Sequence, residues 1–286
     1  MIKSYKARRI LSNTIIYIIL AIMGIIWVSP FAYLLMHSFR AESTIAVPYL
    51  IPHQWTFQNY IDLFTGSGSS AINFPRWFLN TFVVAIFSCV ISTISVLAVA
   101  YTFSRLRFGA RKKLMNVAMI LGMFPGFMTM IAIYYLLKAM GLNQNLIALV
   151  ICYSSGAGLG FQISKGFFDT IPRALDEAAT IDGATKNQIF WRIILPMSKP
   201  IVVYTVLTAF IGPWCDFILA KIIMGDKREL YTVAIGLQSM TSAEFINEYY
   251  KQFLAGSVLV AIPITTLFLI MQRYYVEGVT AGGVKG

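Results

Sequence analysis

Charge is what this sequence has least of. Only 12% of its 286 residues are charged, against about 25% in an ordinary soluble domain. Water would not keep such a surface dispersed, so lipid is the expected solvent. Cysteine is nearly absent. Cys89, Cys152 and Cys215 each lie in an apolar stretch and form no C-x-x-C pair, which excludes a disulfide frame and leaves them as small buried hydrophobes. The two histidines, His37 and His53, belong to no H-E-x-x-H or Cys/His cluster, so no metal site is expected. No G-x-x-x-x-G-K-[ST] loop occurs, so the chain is not expected to bind or hydrolyse ATP. Paired catalytic carboxylates and a nucleophile elbow are missing too, which argues against an enzyme. There is no internal repeat and no sign of a separate soluble domain, so 1–286 reads as one unit.

What is present is long apolar stretches. Six, roughly 13–37, 77–103, 114–137, 146–167, 200–223 and 253–275, are long enough for a hydrocarbon core that needs about 20 residues of helix. They are apolar all round and show none of the short alternating strands of a membrane barrel. The expected fold is an all-α membrane protein with six transmembrane helices. The stretch Ile10–Phe39 carries no charge. It exceeds the roughly 7–15 apolar residues of a secretory signal and reads as a retained first span. The formal net charge of +11 could suit nucleic acid. The basic residues lie between spans, however, so they read as orientation signals and no nucleic-acid partner is expected. Sixteen of the 23 Lys and Arg fall on one side. That bias places both termini and the segment 168–199 in the cytoplasm. The outer loops are then about 38–76, 138–145 and 224–252. Pro48, Pro52, Pro75 and the run TGSGSS at 65–70 suit turns and flexible loop.

One cytoplasmic segment differs from its greasy flanks: DEAATIDGATKNQIFWRIILP, 176–196. Ala174, Leu175, Ala178 and Ala179 form one apolar stripe, and Ile189, Phe190, Ile193 and Ile194 another. Pro172 suits a first helical turn, Gly183 a turn between the helices, and Pro196 and Pro200 a stop before the fifth span. Two short angled helices result. Small residues at Ala178, Ala179 and Gly183 permit close approach, so the element fits either docking into a partner or a plain structural loop.

Glu177-Ala178-Ala179, three residues, Gly183, nine residues, then Ile193-x-Leu195-Pro196 resembles the EAA-x3-G-x9-I-x-L-P motif of the membrane subunits of bacterial ABC importers. The resemblance implies a coupling helix seated in a cleft of a cytoplasmic ATPase. Glu177 would take a polar contact, Ala178 and Ala179 a flat packing face, and Gly183 the turn. Ile193, Leu195 and Pro196 would anchor the loop to the bundle. The runs WTFQNYIDLF, WCDFILA and YTVAIGLQSM and the C-terminal QRYYVEGVTAGGVKG are similar to the carbohydrate branch, in particular the smaller maltose-type subunit. The implied partners are a larger permease subunit, two ATPase subunits holding ATP and Mg, an extracellular solute-binding protein and the bilayer. The implied location is the bacterial cytoplasmic membrane. Maltodextrin-like oligosaccharides are the first expected cargo, and galacto- or raffinose-type ones the second. The family often has Asn where Cys215 stands, which weakens any polar role there.

Candidates for the substrate path are Phe127, Tyr134 and Tyr135 near the kink expected at FPGF 124–127, Gly158 in the G-x-x-x-G run 156–160, and Trp214 with Asp216 in WCDF. Each has a plainer role: aromatic packing, close helix contact, or a rim carboxylate just beyond a break expected at Gly212-Pro213. EFINEYYKQ at 244–252 could meet the binding protein or be a solvated loop, and 278–286 is expected to be a flexible tail that can reach the ATPase. An ion-coupled carrier is the rival class. Such carriers place ionisable groups near the midplane, and none is evident here.

Overall fold

A computed structural model describes residues 5–283 except 43, 46, 67–71 and 156. Its described residues hold fourteen α-helical segments and no strand, only an isolated bridge between Arg40 and Trp55. In chain order these are α1 (Tyr5–Ser38), α2 (Gln58–Thr65), α3 (Phe74–Arg105), α4 (Arg111–Gly122), α5 (Gly126–Ala139), α6 (Leu146–Ser155), α7 (Ala157–Asp169), α8 (Ala174–Ile181), α9 (Lys186–Ile189), α10 (Leu195–Met197), α11 (Lys199–Cys215), α12 (Ile218–Met224), α13 (Val233–Met240) and α14 (Ile246–Gly283). The chain forms two compact units, Met1–Ser70 with Ser239–Leu259 and Ala71–Gln238 with Val260–Gly286.

In the first unit, α1 is exposed from Arg9 to Phe31, an apolar rod with no cover of its own. The segment that follows, expected to be an outer loop, has described parts ordered around buried polar groups. Arg40 is fully buried and donates to the carbonyls of Glu42 and Thr44. Asn59 on α2 donates to the carbonyls of Ser38 and Arg40 at 2.8 and 2.9 Å. Buried donors need such partners, and here they fold the backbone round themselves. The end of the TGSGSS run lies outside the described residues. EFINEYYKQ is not a loop either. It enters α14 at Ile246, buries Tyr249 and sends Lys251 Nζ to the Ala41 carbonyl at 3.0 Å.

In the second unit, α3 is the central post. Asn73 caps it, accepting from the Arg76 N–H, and Pro75 sits in its first turn, where a missing N–H costs nothing. Its buried positions recur every three or four residues: Trp77, Thr81, Val84, Ser88, Ser92, Val96, Ala100 and Ser104. Much of that stripe is small, which lets α6, α7 and α11 pack closely against it. At the stripe's start, Trp77 Nε1 and Asn80 Nδ2 donate to carbonyls of Arg228, Glu229 and Tyr231. A Cβ on Gly236 would lie 2.0 Å from the Trp77 ring, so only glycine fits there.

Three helices are long and apolar enough to cross a membrane unbroken, and three bent pairs raise the number to as many as six. The third expected span is α4 and α5, set at 101° across FPGF, because Pro125 cannot donate to the helix before it. The fourth comprises α6 and α7, and residue 156 between them lies outside the described residues. The G-x-x-x-G packing role expected there does not extend to Gly160, where an added Cβ would meet open space. The fifth ends at Cys215, and α12 follows after two residues. The break falls three residues beyond Pro213, which stays inside α11. Asp216 makes the break, because its carboxylate accepts the Leu219 N–H at 3.1 Å and starts α12. Cys89 and Cys152 are buried as expected, but Cys215 at this break is exposed. The tail expected to be flexible continues α14 as far as Gly283. No proline follows Pro263 to stop it, and 284–286 lie outside the described residues.

Candidate functional site

The segment between α7 and α11 is a bent pair of arms. Asp176 and Glu177 occupy the first turn of α8, where carboxylates complement the helix's positive end. Pro172 lies just before this helix rather than in its first turn; its carbonyl accepts the Leu175 N–H at 3.3 Å. Arg173 holds the cap position without a side-chain cap bond. The helix ends in a Schellman arrangement. Ala184 N–H reaches the Ala179 carbonyl at 2.9 Å, and Gly183 N–H the Thr180 carbonyl at 3.1 Å. Gly183 stands at φ +84° with open space beyond its Cα. Within this chain it is needed for its backbone angle.

The second arm opens with a capping box. Thr185 Oγ1 accepts the Gln188 N–H, and Gln188 Oε1 accepts the Thr185 N–H. T-x-x-Q at 185–188 is the sequence signal of this turn. The arm then passes through one π-turn, Phe190–Ile194, into α10. Pro196 was expected to end this helix and instead lies within its last turn. The wider turn carries the Leu195 N–H back to the Phe190 carbonyl, shifting the register so that proline's missing donor is tolerated. The stop comes at Ser198, and α11 leaves at 88°.

The two arms bury different amounts. Ile189, Phe190 and Ile194 enter the core with Phe161 and Phe168. Ile193 and Leu195 are half-buried and Pro196 is exposed. On α8 only Ala179 is buried. Ala174 and Ala178 do not share its face; with Glu177 and Ile181, which is 86% exposed, they open outward, and Leu175, one turn before Ala179, is 37% exposed at the edge between the two sides. This leaves an apolar strip at i, i+4 and i+7 facing away from the molecule.

The anchors were missed. Arg105, at the end of α3 and 4% exposed, pairs with Asp176, 15% exposed, at 3.4 Å. Its Nη2 also donates to the carbonyls of Phe168 and Ile171 at 2.7 and 2.9 Å. Tyr101, one turn earlier, donates to the Lys186 carbonyl at 3.0 Å and packs on Phe190. Ser104 donates to Asp169, which also takes Lys165. One helix end thus holds the start of α8 and the start of α9.

The substrate-path candidates lie on different elements, α5, α7 and the end of α11. Phe127 and Tyr135 are exposed, and the Tyr134 and Tyr135 rings contact each other. Trp214, 2% exposed, packs with Phe78, Phe82 and Phe210 in an aromatic core. Asp216 accepts the Tyr153 hydroxyl at 2.9 Å. Gly158 falls in α7 and its surroundings lie outside the described residues.

Residues 95–280 match the family of the binding-protein-dependent transport system inner membrane component. The galactooligosaccharides transport system permease protein GanQ of Bacillus subtilis is 34% identical over the whole of both chains. The maltodextrin transport system permease protein MalD of Streptococcus pneumoniae is 33% identical over the same extent. In fold, a chain from a bacterial ABC transporter involved in import of the acidic polysaccharide alginate superposes with a TM-score of 0.78, covering 96% of this chain and 99% of that one at 20% identity.

Proposed function

The chain belongs to the binding-protein-dependent transport system inner membrane components, and from that premise we propose that it forms half of an oligosaccharide import pathway driven by separate ATPase subunits. The observation that carries this reading is the build of α8. It is a short capped helix bolted to α3 through Arg105 and Asp176, with its apolar strip turned outward. A rigid element with one face buried and one bare suits a lever that docks in a partner's groove. The long exposed stretch of α1, Arg9 to Phe31, and the largely exposed α4 and α5 suit lipid and a second, larger permease subunit. Six spans with both termini in the cytoplasm complete the proposed topology. In this reading ATP and Mg bind to the two ATPase subunits. Their closure moves α8, and the bundle alternates between outward and inward access. An extracellular binding protein delivers the sugar.

GanQ and MalD carry names for different oligosaccharides at near-equal identity, so the proposal stops at the oligosaccharide class. Reconstitution tests it. The chain with its partner permease, ATPase pair and binding protein in proteoliposomes should take up radiolabelled maltotriose or a galactooligosaccharide only with internal ATP and external binding protein. Uptake driven by a proton or sodium gradient alone would end the importer reading.

A further inference from the structure

Between the end of α3 and the α8–α9 hairpin lies a cavity of about 470 Å³, lined by Arg105, Arg107, Arg173, Asp176, Glu177 and Lys186 among others. Asp176 is taken by Arg105. The other ion pairs among the described residues, Lys165–Asp169 and Lys221–Asp226, involve none of these side chains. Arg107, Arg173 and Lys186 therefore face Glu177 alone. Arg173 donates to the Ser104 carbonyl at 3.3 Å and Lys186 to the Thr180 hydroxyl at 3.2 Å, and neutral acceptors do not cancel their charge. At this ion pair two buried atoms have no partner, the Nε of Arg105, a donor, and the Oδ1 of Asp176, an acceptor. An orphaned buried donor is costly and usually has a partner in the working assembly.

Resting on the docking reading above, we propose that this cavity receives an acidic side chain, Asp or Glu, of the ATPase subunit seated on α8. Position selects the occupant, because Ile181 both lines the cavity and belongs to the exposed strip. A protein covering that strip also covers the cavity mouth. Chemistry selects the group. Guanidinium and ammonium donors gathered round one unpaired carboxylate call for a second, and a carboxylate fits a guanidinium fork. The contact would add charge steering to an otherwise apolar docking surface.

Carbodiimide chemistry on the intact transporter in nanodiscs tests this, since the reagent joins an amine only to a carboxylate in contact with it. Lys186 should become linked to an Asp or Glu of the ATPase, identified by peptide mass spectrometry. Lys186→Arg should remove the link and keep the ATPase bound. Arg107→Glu with Lys186→Glu, both at exposed positions, should weaken ATPase retention by about tenfold or more, most strongly at low salt. Links from Lys186 only to its own chain, or unchanged retention in the double reversal, would overturn the proposal. So would protection of Lys186 from acetylation by inorganic phosphate in the ATPase-free permease with no carboxylate link in the assembly, which would make the cavity a small-anion site. These variants leave Leu175, Ala178 and Ile181 intact, so retained binding through α8 would count against the cavity alone and spare the lever.

Discussion

Ala178→Asp is expected to strip the ATPase from this permease while leaving the permease folded. Ala178 is exposed and lies on the outward strip of α8, so its replacement disturbs no packing within the chain. Surface changes of this kind alter stability by about 0.5 kcal/mol, plus a few tenths for helix propensity. A carboxylate forced into an apolar groove without a partner costs about 3 kcal/mol or more, which is over a hundredfold in affinity. Copurification of the ATPase should fall accordingly and uptake should drop to background, with an unchanged melting curve for the permease itself. Retained ATPase and normal uptake would remove α8 from the interface.

The second large effect is expected at Arg105. Arg105→Ala leaves the Asp176 carboxylate and the carbonyls of Phe168 and Ile171 without their donor. Breaking a buried pair from one side costs about 3–5 kcal/mol. Melting of the purified protein should fall by several degrees, and transport per ATP hydrolysed should collapse because α8 loses its tie to α3. Arg105→Lys should recover little, since Arg105 reaches the carboxylate and the two carbonyls from two separate guanidinium nitrogens, and the shorter lysine offers its donors from one atom. Arg105→Ala with Asp176→Ala should melt higher than Arg105→Ala alone, because the stranded charge is gone. Equal melting of the single and double variants would show that the pair carries no such role.

The two-armed segment was legible because its signals are local. The EAA spacing, Gly183 and the apolar residues of the second arm all lie within one short window, and the helix–turn–helix found at 174–197 follows from them. Its anchors were not legible. Arg105 read as one more inward-facing charge, and nothing in the chain near it indicates Asp176, 71 positions away in sequence. The two meet only because α3 and α7 pack side by side. Apolar length located the long helices, and the kink expected at FPGF is present between α4 and α5, but the other prolines did not mark the breaks expected of them. Pro125 breaks its helix, whereas Pro196 and Pro213 lie inside theirs, and the difference depends on whether the neighbouring turn can shift register. The outer segment looked loose because its turn residues were visible while the burial of Arg40 and Asn59 was not. The aromatic candidates were hard to read for a related reason. In a chain that is 14% aromatic, ring contacts such as those of Trp214 serve the core.

The most direct test of the mechanical link is a disulfide trap. With Cys89, Cys152 and the exposed Cys215 replaced, Ala178→Cys becomes the only thiol on this chain. It should resist a membrane-impermeant maleimide applied from outside. It should also form a disulfide with a cysteine placed in the groove of the ATPase in the assembled transporter, blocking uptake until reductant is added. Labelling from outside, or an assembled and active transporter in which no such disulfide forms, would contradict the account.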